Sequence, residues 1–230
     1  MRRLNEFKSE TKPSTAEEPQ RGIMTGVEVL DKRGGLLPGE ATVLCGCACS
    51  FKTTLATTMV VNAASRGVPS MLISMEYTEK HVAESVLKLS DGDFGLPVFI
   101  ECGVGDYEDL QAAILHASQL EPAPVRLIVV DDIRLIGGTS DWEPEELPRK
   151  LKNLATKTGA HILFTSIEPR KEGKDFPDIR YNRYESVDNV LSVARQGFLL
   201  DKTQWFDLVA VRLLKGRSIG TGSCVESLTN

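Results

Sequence analysis

Five short apolar runs, Ala41 to Cys45, Ser70 to Ser74, Val98 to Glu101, Arg126 to Val130 and His161 to Thr165, carry almost no charge in their interiors. A strand that is apolar on both sides is covered on both faces, which is the environment of a parallel sheet clothed by helices. Between the runs lie Thr53 to Arg66, Glu79 to Leu89, Tyr107 to Leu120 and Glu143 to Thr158, where apolar residues return at helical spacing. This alternation predicts an α/β domain with right-handed crossovers. Gln196 to Leu200 and Phe206 to Leu214 read as further strands that close the sheet.

Composition sets the outer limits. With 230 residues, 41% hydrophobic and 26% charged, the chain can bury a full core, which excludes collagen-like, disordered and disulfide-stapled classes. Lys and Arg number 27 against 32 Asp and Glu, a net charge of −5, so contact with nucleic acid requires a local basic patch. No apolar run approaches the roughly 18 residues of a membrane helix, and the opening MRRLNEFKSETKPSTAEEPQ has no signal-peptide stretch. A cytoplasmic protein without a membrane partner is expected. The 5 cysteines, with Cys45, Cys47 and Cys49 crowded together, are expected as free thiols. Residues 1–21 are polar and aperiodic, which predicts a flexible arm, and residues 22–230 are expected to form one domain.

The first core run leads into Gly46-Cys47-Ala48-Cys49-Ser50-Phe51-Lys52-Thr53, followed by Thr54 and a helical pattern. This fits a phosphate-binding loop, G-x-x-x-x-G-K-[ST], at every position but Phe51. Backbone N–H groups of Gly46 through Thr54 would face phosphate at a helix N-terminus, Lys52 would reach the outer phosphates and the Thr53 hydroxyl would ligate Mg²⁺. If Phe51 takes the left-handed conformation usual for glycine there, its Cβ costs on the order of 1–2 kcal/mol, which ring burial can offset. The same cysteines lack a second ligand pair at zinc-site spacing and are expected to pack near the strand end.

Two later runs end in acid. Arg126 to Val130 leads to Asp131-Asp132, and Asp131 is the expected Mg²⁺ carboxylate. Ser70 to Ser74 leads to Met75-Glu76, where Glu76 would act as general base on the attacking water; the competing role is capping of the helix that follows Thr78.

Together these residues resemble the RecA-like ATPase family, and within it the ATPase domain of DnaB-type hexameric replicative helicases and phage primase-helicases. The lead-in Gly22-Ile23-Met24-Thr25-Gly26, Leu30-Asp31, Gly34-Gly35-Leu36 and Pro38-Gly39-Glu40 is similar to that family's approach to its phosphate loop, a pattern shared with the KaiC and RadA branches. Ser74-Met75-Glu76 resembles the catalytic-glutamate strand end, and Asp131 with Leu135 the metal-carboxylate strand. Ser166 falls where the family places a γ-phosphate sensor. Lys215-Gly216-Arg217 resembles the Lys-x-Arg segment whose cations reach a neighbouring subunit's nucleotide. The resemblance implies a RecA-like P-loop NTPase fold, ATP and Mg²⁺ as ligands, a ring or filament (a hexamer in the helicases), single-stranded DNA and other replication proteins as partners, and helicase or translocase activity in DNA replication. Phe51 in the loop and Ser166 or Ile167 at the sensor, where the helicases carry Gln or His, define the alternatives: an impaired module kept for assembly, or a recombinase-like or KaiC-like ATPase that does not unwind.

The stretch Arg170 to Tyr184 holds 5 basic and 3 acidic residues with interleaved tyrosines. That mixture suits single-strand contact through Lys171, Lys174, Arg180 and Arg183, while the competing reading is a solvated surface loop. Trp142, in an acidic Gly137 to Glu143 segment, is expected to anchor the following helix or a subunit contact. His116 and His161 read as core or edge residues and His81 as a surface one.

Overall fold

Alternating strands and helices build one eight-stranded sheet with helices on both faces. The structure, a computed structural model, describes residues 22–170, 174–200 and 204–227; the expected arm and Lys171 lie outside them. In chain order the elements are α1 (Glu28–Asp31), β1 (Ala41–Gly46), α2 (Lys52–Ala64), β2 (Ser70–Ser74), α3 (Glu79–Leu89), β3 (Val98–Glu101) and α4 (Tyr107–Ala117). There follow β4 (Leu127–Asp131), α5 (Glu146–Thr158), β5 (His161–Ile167), β6 (Asn189–Leu200), β7 (Gln204–Gly216) and β8 (Gly222–Ser227). The sheet order is β3-β2-β4-β5-β1-β6-β7-β8, parallel through β6 and antiparallel beyond it.

Strand pleating divides the core in two. Val43, Cys45, Ile128, Val130, Ile162 and Phe164 face α4 and α5, whereas Leu44, Leu127, Val129, Leu163, Leu191 and Val193 face α2 and α3. Side chains at successive positions are thus buried on opposite faces, which is why the central runs are apolar throughout. Polar signals set the helix starts: the Thr78 hydroxyl accepts from His81 N at 3.4 Å to open α3, and Asp106 Oδ1 accepts from Asp109 N at 2.9 Å to open α4. Trp142 anchors α5 as expected, meeting the Tyr107 ring at 5.3 Å while the Lys150 ammonium lies 4.4 Å from the indole. His161 is wholly buried, but His116 is exposed, against the expectation of a core or edge position.

The C-terminal third departs most from the sequence reading. β6 begins at Asn189, seven residues before the strand expected from Gln196, because that segment pairs with β1 from Thr42↔Asn189 to Gly46↔Val193. Ser192 and Arg195 interrupt its apolar character, so periodicity does not expose it. β8 has no counterpart among the expected strands; it is a polar edge strand held by pairing with β7. Among the described residues no helix is long and apolar enough to cross a membrane, no group of three or more His, Cys, Asp or Glu is placed to hold a metal, and all five cysteines are free.

Candidate nucleotide-binding site

β1 ends at Gly46 and α2 begins at Lys52, so the phosphate-type loop is a strand-to-helix turn at the C-terminal edge of the parallel strands. Gly46 is required there: a Cβ would lie 2.2 Å from Ser50 Oγ and 3.1 Å from Lys52 Cγ. Cys47 is half-buried, Ala48 and Cys49 are exposed, and Ser50 is buried. Cys49 and Phe51 are both left-handed, at φ 56° and φ 63°. The Phe51 ring is half-buried against the apolar cluster under α2, the kind of burial that works against left-handed backbone strain. The buried Lys52 ammonium turns back onto the loop, donating to Cys47 O at 2.8 Å and Gly46 O at 3.3 Å. Burial lowers its pKa, opposed by the nearby Asp132 and Asp131 carboxylates. Lys52 therefore occupies the hollow of the loop with neutral partners that phosphate oxygens can replace.

At the end of β4 the Asp131 carboxylate meets the first turn of α2. Thr53 Oγ1 donates to Asp131 Oδ2 at 2.8 Å, and Thr165 Oγ1, from β5, donates to Asp131 Oδ1. A hydroxyl and a carboxylate on adjoining elements form an oxygen donor set of the kind that would hold Mg²⁺. Asp132 points elsewhere, accepting from Arg134 Nε at 3.2 Å and Nη2 at 3.1 Å. Glu76 is exposed two residues beyond Ser74, the register partner of Asp131. It does not cap α3, a role taken by Thr78. Burial and the Glu76 carboxylate raise the pKa of the neighbouring Tyr77, whose ring stacks on His81 at 4.6 Å. Thr53, Thr54, Ser74, Tyr77, His81 and Asp131 line a cleft of about 260 Å³ beside this centre.

The end of β5 holds a cluster that the sequence did not disclose. Glu168 is buried, its amide donates to Gly46 O at 3.0 Å, and its carboxylate accepts from Arg183 Nη1 at 3.2 Å and from the Tyr184 hydroxyl. Ser166, the expected sensor, is buried 3.0 Å from the Tyr184 oxygen rather than open to a phosphate. Burial raises the pKa values of Tyr184 and Cys45 here. Two expectations change. Arg183 is not an outward loop cation, because it compensates the Glu168 charge, and Tyr184 is a core residue. Lys174 and Arg180 are exposed.

Lys215 and Arg217 lie at the opposite edge of the sheet. Val190, the β6 partner of Lys215, pairs with Val43 inside β1, whereas Gly46 at the loop pairs with Val193, and the Lys215 side chain turns further away from the loop. Its ammonium donates to the carbonyls of Val187 at 2.6 Å, Glu185 at 2.8 Å and Tyr184 at 3.3 Å, and burial lowers its pKa. Arg217 pairs with the buried Asp188 at 3.2 Å, beside Lys152 at 2.8 Å. Neither cation joins Lys52 within one chain.

This sheet order and loop placement define the fold of a RecA-like ATPase domain. Solved structures with the same fold include a DnaB-like replicative helicase studied with its primase, at TM-score 0.76 and 13% identity over 93% of this chain. They also include a second solved ATPase domain, at TM-score 0.71 and 13% identity over 96% of this chain and 90% of that one. The chain spans 62% of the DnaB-like helicase's length. No protein-family model and no curated protein matches the sequence.

Proposed function

We propose that this chain is an ATP-hydrolysing motor of the DnaB-like type, a cytoplasmic protein acting on single-stranded DNA in replication as an oligomeric ring, together with other replication proteins. The observation that carries the reading is the Thr53–Asp131 contact, which joins the phosphate loop to the acidic end of β4 in a Mg²⁺-type donor pair. Lys52 leaves its loop carbonyls for the β- and γ-phosphates, and the N–H groups from Gly46 to Thr54 receive the remaining oxygens. Thr53 and Asp131 would hold Mg²⁺, which would supply charge neutralisation at the transferred phosphoryl group. Glu76 orients the attacking water and takes its proton.

The separation of Lys215 and Arg217 from Lys52 supports a head-to-tail assembly, in which these cations serve the neighbour's nucleotide after leaving their internal partners. Lys174 and Arg180 supply backbone contacts to single-stranded DNA. The test is steady-state ATP hydrolysis with and without single-stranded DNA, comparing wild type, Lys52→Ala and Glu76→Gln. DNA-stimulated turnover that both substitutions abolish is the expected result; silence of the wild type together with absence of nucleotide binding overturns the reading. The left-handed Phe51 and the buried Ser166 favour one alternative, an impaired module that assembles without turnover. In that case nucleotide binds, and Phe51→Gly raises turnover strongly.

A further inference from the structure

Phe51 is the residue of the loop with the least obvious reason to be there, and its ring carries a second side chain. Val193 on β6 is the register partner of Gly46, and the two-residue period of a strand puts Arg195 on the same face as Leu191 and Val193. Those two pack into the apolar cluster under α2, so Arg195, paired with Val209 of β7, continues that face beyond the end of β1, on the side of the phosphate loop. Its guanidinium lies 4.7 Å from the Phe51 ring centroid, within the reach of a cation–π contact. The ring is half-buried and Arg195 exposed, so the aromatic acts as a mount for the guanidinium.

Phe51 immediately precedes Lys52, the first residue of α2, so the ring seats Arg195 beside the helix start at which the phosphate loop ends. The geometry points to Arg195, seated on Phe51, as a further phosphate-binding residue: a cation supplied by the same chain for the triphosphate of the bound nucleotide. Arg suits this task because its planar, permanently charged fork can stack on an aromatic face and bond phosphate oxygens through its edge at the same time. A glycine at position 51 relaxes the loop but leaves the guanidinium without a mount, which gives a positive reason for the Phe. This inference rests on the nucleotide reading above.

The experiment is calorimetric titration of the full chain with ATP and, separately, with inorganic triphosphate, in Mg²⁺. Arg195→Ala is expected to weaken both ligands roughly 10-fold, the scale of one charge-assisted hydrogen bond, while the circular-dichroism spectrum of the folded chain is retained. Arg195→Lys restores part of the loss because the charge remains while the planar stack does not. Phe51→Leu weakens binding too, and combining it with Arg195→Ala adds little, since mount and cation act as one unit. Unchanged affinity in Arg195→Ala, with wild type binding normally, overturns this inference alone. Loss for ATP but not for triphosphate moves the guanidinium to the nucleoside and overturns the phosphate assignment. Failure of the wild type to bind either ligand removes this inference and the nucleotide reading together.

Discussion

Around His161 and Asp188, at the N-terminal edge of the parallel strands, polar groups close on one another; around Lys52 and Asp131, at the C-terminal edge, they are held by partners a ligand can replace. His161 donates from Nδ1 to Leu37 O at 2.8 Å, which leaves Nε2 to accept from the Thr42 hydroxyl at 2.9 Å. Buried Asp188 receives the Ala41 amide, Lys152 and Arg217. Across the sheet, Lys52 rests on its own loop carbonyls, Asp131 is bonded by two hydroxyls rather than a cation, and two non-glycine residues are left-handed. Within one chain, the difference teaches which cluster stabilises and which binds; Arg217 can serve a neighbour only by giving up its place in the first. A charge compensated by a charge leaves an uncompensated partner when disturbed, whereas a charge resting on neutral dipoles exchanges them for phosphate at little loss.

The comparison can be broken most severely at Asp188. Asp188→Ala leaves the mostly buried Lys152 and the buried Ala41 amide without their carboxylate while the half-exposed Arg217 turns to water, so urea denaturation should show a loss of about 3–5 kcal/mol, the scale for one partner of a buried pair. A stable variant with impaired nucleotide binding instead would mean the N-terminal edge is not a structural lock. Next in size is the pH response of His161, whose pKa burial lowers from 6.5 to about 4. The unfolded chain therefore takes up this proton first, so the stabilisation is complete above pH 6.5 and is lost as pH falls toward 4. Relative to a His161→Gln variant, wild-type stability should drop by about 3 kcal/mol across that window; parallel curves for the two proteins would refute it.

At the other edge the effects move from stability to binding. Thr53→Val removes one oxygen of the Mg²⁺-type pair and should weaken Mg²⁺-dependent ATP binding roughly 10–100-fold while the melting temperature stays nearly unchanged. A large fall in melting temperature would show that Thr53–Asp131 is a structural bond. The smallest effect is expected for Phe51→Gly. Relief of left-handed strain, about 1–2 kcal/mol, nearly cancels the lost burial of a half-exposed ring, so stability should change by less than about 1 kcal/mol in thermal melts. A clear stabilisation would show that the ring contributes little packing.

Legibility followed burial and local bonding. β2, β3 and α3 match their expected limits to the residue, because continuous apolar runs and the Thr78 cap are written in consecutive positions. Lys52, Thr53 and Asp131 were readable as a set, since a strand-to-helix loop and an acid-ended strand follow local spacing. Glu168 was not: it follows a strand and looks like any loop carboxylate until Tyr184 and Arg183 fold back on it from 15 or more residues away. The same fold-back withdrew Arg183 from the basic stretch, and β8 emerged only because β7 offered a free edge.

By itself, then, the sequence determined an α/β sheet with a phosphate-type loop and an acidic strand end, because apolar runs, helical spacing and the Gly46 to Thr53 pattern are local properties of the chain. The tertiary structure decided that Lys215 and Arg217 stand at the opposite edge from Lys52, that Glu168 is neutralised from within, and that Phe51 carries Arg195. Those outcomes depend on which strands become neighbours, and strand order and register are settled by long-range packing of the whole sheet.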